Sequence, residues 1–499
     1  MKVGIIGAGP AGLACAYKLS KAGIKADVYE ASGSVGGLAR SFRLWNQTVD
    51  LGPHRFFSRD PRVNGLWLEV VGRDYSMVNR LTRILYKNKL YQYPLRPTDV
   101  VTNLGALETS RALLSYVREK VAPEAPRAGE ETFESWVVRR FGRRLYEIFF
   151  KTYSEKLWGI PCGELDADFA VQRIKKFSLF EALKAAFSTD TSGKHKTLVD
   201  RFAYPFLGTG MVYERMAAHV SRNGGGVYLG KPVRKIVSAG KKATGIELAD
   251  GRVEAYDHVV STMPLTLMVL GLDGVSPEVV AAAKSLKFRN TILVYLNIRN
   301  ENLFPDNWIY IHSPQLKVGR ITNFRNWSPH LYGEEKSSIL ALEFWCNESD
   351  ELWSRDDEYL IGLGRKELAE AGLASEADAA QGYVHRINRC YPVYMSGYKE
   401  LLKPIQDYLD GIGGLTVIGR YGSFKYNNQD HSILMGILAA ENIISGTGHN
   451  LWEINTDYEY QESALITETG LVELNNRAGS KYDDIVLRYH AACRYMSRI

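Results

Sequence analysis

Apolar positions change their period along the chain, and those changes predict its elements. Lys2 to Ile6 is an apolar run of strand length, a glycine-rich hexapeptide opens a helical stretch to about Lys21, and Lys25 to Tyr29 reads as a second strand. Together they predict one βαβ unit. From Leu66 to Ala185 apolar residues fall three and four apart, most clearly in Ala106 to Val121 and Phe133 to Tyr153, with Pro123 and Pro126 in a loop between them. Strand-like runs return at Val227 to Leu229, Val233 to Val237, Ala243 to Leu248 and His258 to Ser261, punctuated by turn signals such as Asp250-Gly251. Thr291 to Ile298, Trp308 to Ile311, Arg320 to Phe324 and Ser338 to Trp345 predict a second, antiparallel sheet. Leu415 to Ile418 reads as a buried strand, followed by a loop and a helix from about Ser432 to Ile444. From Asn450 onward the pattern is polar and irregular.

The expected fold class is therefore α/β. Residues 1–65, 205–265 and 410–449 form a discontinuous Rossmann-type domain, 66–204 a mainly helical insertion, 266–409 an antiparallel-sheet substrate domain, and 450–499 a C-terminal tail. The tail is expected either to close over the cleft or to contact a neighbouring subunit.

Composition narrows the classes. A chain of 499 residues exceeds what one core serves. A net charge of +6, from 62 basic against 56 acidic residues, comes without a dense basic block or zinc-finger spacing, so nucleic acid is not an expected partner. Cys15, Cys162, Cys346, Cys390 and Cys493 are scattered and show no C-x-x-C, which points to reduced thiols and no metal site. The most apolar stretch, Val259 to Val275, is interrupted by Ser261, Thr262 and Pro264, so no membrane span is expected. With a strand beginning at Lys2 there is no room for a signal peptide, and a cytoplasmic location is expected.

Gly7-Ala8-Gly9-Pro10-Ala11-Gly12 carries the first chemistry. Such glycines are a weak signal alone, but here they follow a strand and open a helix. In that setting Gly7 makes the tight turn, Gly9 lets backbone approach a pyrophosphate, and Gly12 lets the helix pack closely. The helix N-terminus receives the phosphates. Glu30 and Ala31 end the next strand, where a carboxylate accepts hydrogen bonds from a ribose hydroxyl and repels a 2′-phosphate. Gly36-Gly37-Leu38-Ala39-Arg40 then adds a glycine pair and an arginine, which resembles the FAD signature of amine-oxidase-like flavoproteins. The cofactor that this resemblance implies is FAD. No second GxGxxG sits in a βαβ context, so NAD(P)H is expected only as an external reductant visiting the flavin.

Three further stretches narrow the resemblance. Phe149 to Gly159 (FFKTYSEKLWG), Arg83 to Pro94 (RILYKNKLYQYP) and Gly419 to Ser432 (GRYGSFKYNNQDHS) resemble segments of UDP-galactopyranose mutases, the last being close to the flavin and diphosphate loop of the eukaryotic type. Phe288-Arg289-Asn290 and Gly319 to Pro329 (GRITNFRNWSP) are fainter matches in the same order. Tyr204-Pro205 to Gly210 is more like protoporphyrinogen oxidases, and Lys175 or Lys176 stands where the mutases carry a second arginine.

The mutase resemblance implies a nucleotide-diphosphate sugar as substrate. It also implies pyranose/furanose interconversion through a flavin N5-sugar adduct, with FAD in the reduced form. The oxidase resemblance implies hydride removal from a C–H bond. Flavin contacts are expected from Gly419, Arg420 and Ser432, and from His54 beside the ring. Phe149 and Tyr153, four residues apart, are expected on one helical face to stack on a base, although aromatics at that spacing usually fill a core. Trp158 is expected against the sugar, and Arg173, Arg289 and Tyr426 on the diphosphate. His54, Arg289 and Tyr426 are the candidate catalytic residues. Assembly into a homo-oligomer is left open.

Overall fold

The computed structural model describes residues 1–123, 131–170, 201–454, 464–467 and 470–473. Its first body is a five-stranded parallel sheet in the order Leu415–Val417, His258–Ser261, Lys2–Ile6, Lys25–Tyr29, Gly226–Tyr228. Helix α1 (Pro10–Lys21) crosses between its first two strands, with proline at the first helical position and nine of its residues buried. A helix from Gln429 to Ser445 lies against α1 so closely that a Cβ on Gly436 would stand 2.4 Å from the carbonyl oxygen of Ala11. Buried Asp27 fixes the sheet edge by accepting from the Gly226 N–H (2.9 Å) and the Tyr256 hydroxyl (3.2 Å).

The second body is a seven-stranded sheet in the order Ala379–Pro392, Phe288–Ile298, Ser338–Cys346, Arg320–Asn323, Trp308–Ile311, Thr82–Tyr86, Lys89–Gln92. Phe288–Ile298 is buried along almost its whole length because both of its neighbours pair with it antiparallel. Two departures from expectation occur here. Tyr75–Asn79, inside the region expected to be mainly helical, is a strand, whereas Thr82–Tyr86 and Lys89–Gln92 fall in the stretch Arg83 to Pro94, whose mutase resemblance implies a sheet strand and turn; Thr82–Tyr86 pairs in parallel with Trp308–Ile311. The 14-residue strand Ala379–Pro392 was not anticipated, because at the sheet edge its polar residues meet solvent and no apolar run marks it.

The helical region is α2 (Pro61–Val71), α3 (Pro97–Leu104), α4 (Ala106–Val121), α5 (Phe133–Phe141), α6 (Arg143–Tyr146) and α7 (Thr152–Trp158). A π turn, Glu147–Lys151, joins α6 to α7. The expected helix from Phe133 to Tyr153 is thus broken at Gly142 and again at the π turn. At the C-terminal end the chain makes a turn at Leu451–Glu453 and a hairpin of Ala464–Thr467 with Gly470–Glu473. Lys425 Nζ donates to the carbonyl oxygens of Trp452 and Ile454, tying the start of the tail to the loop before the Gln429–Ser445 helix. Among the described residues no helix is long and apolar enough to cross a membrane.

Candidate active site

One cavity of about 1300 Å³ runs from the carboxyl ends of the parallel strands into the helical region. This exceeds the roughly 300–1000 Å³ of an ordinary small-molecule site, leaving room for a dinucleotide and a second ligand. Gly7, Gly9, Pro10 and Ala11 line one end. Gly12 lies behind them, where a Cβ would stand 2.0 Å from the carbonyl oxygen of Gly7, so helix and strand pack at backbone distance. Gly37 has φ +55°, and its Cβ would stand 3.1 Å from Gly9 Cα. The two glycine runs pass backbone to backbone, forming a cradle that a side chain would fill.

Helix α1 has no side-chain cap and no acidic residue in its first turn. Its unpaired N–H groups and positive end therefore present an anion site to the cavity. Glu30, also lining, accepts from the Ala8 N–H (2.8 Å) and the Ser32 N–H (2.9 Å). Each carboxylate oxygen keeps a lone pair for a ribose hydroxyl. Ala31, Leu38, Gly419 and Ser432 complete the lining expected there. The chemistry of these groups fits a flavin dinucleotide.

Arg40 does not line the cavity. Its guanidinium lies 2.8 Å from His385 Nε2, which burial, followed by the charge of Arg40, holds at a pKa of about 4, neutral and able to accept. It joins the dinucleotide loop to the large sheet instead of touching a ligand. His54 does line the cavity. Burial, then the charges of Arg320 and Arg420, pull its pKa down to about 3, so the ring is neutral near pH 7. Its Nδ1 is buried without a hydrogen-bond partner. Arg420 donates to the carbonyl oxygens of Cys390 (3.0 Å) and Asn427 (2.8 Å), and its guanidinium stacks 4.8 Å from the Tyr391 ring and 4.4 Å from that of Tyr426.

Tyr153, Tyr310, Tyr391 and Tyr426 share the next part of the cavity with Arg320 and Glu343. Arg320 makes a bidentate pair with Glu343, both contacts 2.6 Å, across neighbouring strands where the two residues are register partners. Tyr391 and Tyr426 stack at 5.5 Å, and Tyr153 stacks on His312 at 4.9 Å. Burial raises the phenols of Tyr153 and Tyr391 well above the ordinary value, so both remain hydrogen-bond donors. His312 is held at about 3 by burial and the charge of Lys156. Lys156 is itself lowered to about 8 by burial, and its ammonium donates to the carbonyl oxygens of Ile311 (3.1 Å) and Ser313 (2.8 Å).

Three expectations for the substrate side need correction. Arg289 is buried outside the cavity lining, donating to the carbonyl oxygens of Leu157, Lys156 and Trp345 and pairing with Asp350 at 3.2 Å. It holds the end of α7 against the sheet, and four of its five N–H donors are occupied there. Trp158 is 1% exposed and sits behind the lining, edge-on to Tyr391 and Tyr426. Phe149 and Tyr153 both line the cavity, but Phe149 lies within the π turn and Tyr153 in α7 just after it, so they are not one turn apart on a regular helix. Arg173, Lys175 and Lys176 lie outside the described residues.

Arg320, Glu343, Tyr310, Tyr391 and His312 were not singled out in advance. Arg320 and Glu343 fall in two strands that were expected, and pairing those strands antiparallel brings a cation opposite an anion.

The family model for flavin containing amine oxidoreductase matches residues 10–444. Coproporphyrinogen III oxidase of Staphylococcus aureus is 23% identical over 481 residues, covering 89% of this chain and 99% of that protein. A protein named "Probable UDP-galactopyranose mutase", from Klebsiella pneumoniae, is 27% identical over 182 residues, 33% of this chain and 42% of its own length. In fold, the chain is similar to the crystal structure of a reduced UDP-galactopyranose mutase, with a TM-score of 0.79 at 22% identity, covering 92% of this chain and 99% of that one.

Proposed function

The chain belongs to the flavin-containing amine oxidoreductase family, and from that premise we propose that it isomerises the ring of a sugar carried on a diphosphate. The observation that carries this reading is the part of the cavity next to the cradle, where Tyr153 and Tyr391, with Tyr310 and Tyr426 against them, share the lining with the Arg320–Glu343 pair. Aromatic faces suit the C–H side of a sugar ring, and phenol hydroxyls suit its oxygens. Bound FAD supplies nucleophilic chemistry when reduced and hydride-accepting chemistry when oxidised, and a redox-neutral isomerisation uses the first.

The chain's own residues position and shield. Tyr391 and Tyr426, held parallel under Arg420, present hydroxyls at fixed places, and Arg420 supplies positive charge toward a diphosphate. Arg289 has no part in that contact. His54, neutral at physiological pH, offers a hydrogen bond and no charge beside the flavin. The similarity in fold to a reduced mutase supports the reading, as do the sequence matches around Phe149 and Gly419.

A second reading, hydride removal from a C–H bond by oxidised FAD, is favoured by the near full-length similarity to coproporphyrinogen III oxidase. The two are separated by incubating the yellow protein with hexoses carried on nucleoside diphosphates (UDP, dTDP) and on alkyl diphosphates, with and without dithionite or NAD(P)H, and resolving the products by chromatography. An isomeric sugar formed only with reduced flavin is the expected result. Bleaching of oxidised flavin by a substrate, with no isomer, would overturn it.

A further inference from the structure

Beyond the tyrosines the cavity continues as an arm between α4 and the α5–α6 corner, and this arm has a different chemistry. Val100, Ala112, Phe141, Leu145, Phe149 and Phe150 line it. Among the described residues of α3 to α6 and the π turn that line it, the only polar side chain is that of Thr109. An aliphatic chain placed against these side chains buries apolar surface along its length, which is favourable in proportion to the area removed from water.

Resting on the reading above for the head group alone, we infer that this arm binds the aliphatic or terpenoid chain of an amphiphilic substrate, so that the diphosphate carries a lipid rather than a nucleoside. Two features of the surface agree. Val101 and Leu113 line the cavity and yet are about half exposed, so the arm opens through apolar residues. Leu113 continues into a stripe on α4 formed by Leu107, Leu114 (71% exposed), Val117 and Val121 (80% exposed). Arg118 and Lys120 stand in the last turn of the same helix, and an apolar stripe beside basic side chains suits an anionic lipid surface.

The test uses the flavin-loaded protein and n-alkyl phosphates from butyl to decyl, kept below their micelle concentrations, with binding read by titration calorimetry. A chain entering the arm gains about 0.8 kcal/mol per buried methylene, which is close to four-fold in affinity for each carbon added. Ala112→Phe fills the arm and is expected to flatten that dependence to less than two-fold per carbon while flavin absorbance is unchanged. If that variant does not fold, Val100→Trp, at a half-buried position on α3, narrows the same space. Affinity independent of chain length, or a dependence that survives whichever blocking variant folds, overturns the inference.

Two sources could present such a chain, and a second arm of the experiment separates them. Sedimentation with phosphatidylglycerol vesicles that is lost in Leu114→Glu and Val121→Glu identifies a bilayer as the source. Chain-length dependence without vesicle binding identifies a free amphiphile, and the arm's assignment stands in either case.

Discussion

Replacing Arg320 by Met tests whether the buried ion pair is part of the architecture of the cavity. Glu343 is 2% exposed and its two carboxylate oxygens each receive one guanidinium N–H at 2.6 Å. Gly52 packs directly against it, with space for a Cβ only 3.2 Å from Glu343 Oε1. Removing the cation leaves an anion in a site that water enters only through the cavity. Breaking one side of a buried pair typically costs about 3–5 kcal/mol, whereas replacing both sides by apolar groups is often neutral or stabilising. At roughly 2–4 °C per kcal/mol, Arg320→Met should lower the temperature at which flavin fluorescence is released by about 6 °C or more. The double variant Arg320→Met with Glu343→Leu should regain most of that loss. A drop below about 2 °C, or a double variant as unstable as the single one, would refute the view that Glu343 depends on Arg320.

Gly37→Val puts a branched side chain where even a Cβ meets Gly9 Cα at 3.1 Å, and the purified protein should lack flavin absorbance while keeping its far-ultraviolet dichroism. Glu30→Ala removes an acceptor for two backbone N–H groups as well as for the ribose, and flavin affinity by titration should fall by about ten-fold or more. Because Lys156 is lowered from 10.5 to about 8, the folded state binds fewer protons than the unfolded one between those values. Stability should therefore rise with pH from about 8 to 10.5, by up to roughly 3 kcal/mol, and Lys156→Met should abolish the rise in denaturation curves. His54 is held near 3, so its imidazole resonances should show no titration between pH 5 and 8, and a midpoint in that range would contradict the burial described.

What could be read from the sequence was what neighbours in the chain decide. The turn at Gly7 to Gly12, the helix behind it and Glu30 at the end of the next strand all lie within one βαβ unit, and all were found where expected. The segment at Gly419 and Arg420 was reached differently, through the resemblance of Gly419 to Ser432 to a flavin loop. Roles that depend on distant segments were not legible. Arg289 belongs to a motif that suggested a ligand contact, yet the carbonyl oxygens at the end of α7 reach its guanidinium first. Trp158 is a layer too deep, behind Tyr391. Tyr391 itself lies on the Ala379–Pro392 strand, whose exposed polar residues hid the strand and with it the ring that Arg420 stacks on. The π turn at Glu147–Lys151 shifted the helical register, which no spacing rule applied to Phe149 and Tyr153 could anticipate.

The order of strands in the parallel sheet has a consequence for how the protein is made. Lys2–Ile6 pairs with Lys25–Tyr29 almost as soon as both exist, but its other neighbour is His258–Ser261, which in turn pairs with Leu415–Val417. Helix α1 is covered by a helix that begins at Gln429. At about 5–20 residues per second, roughly 20 to 90 s separate synthesis of α1 from synthesis of the helix that buries it. Through that interval the apolar face of the βαβ unit has only part of its cover, from the helix Gly210–Arg222, and contacts so distant in sequence form slowly. A nascent chain of this kind is exposed to aggregation for most of its synthesis. Truncated after residue 250, it would hold the entire glycine motif and still lack two of the five strands, so the dinucleotide cradle is among the last parts of the molecule to become stable.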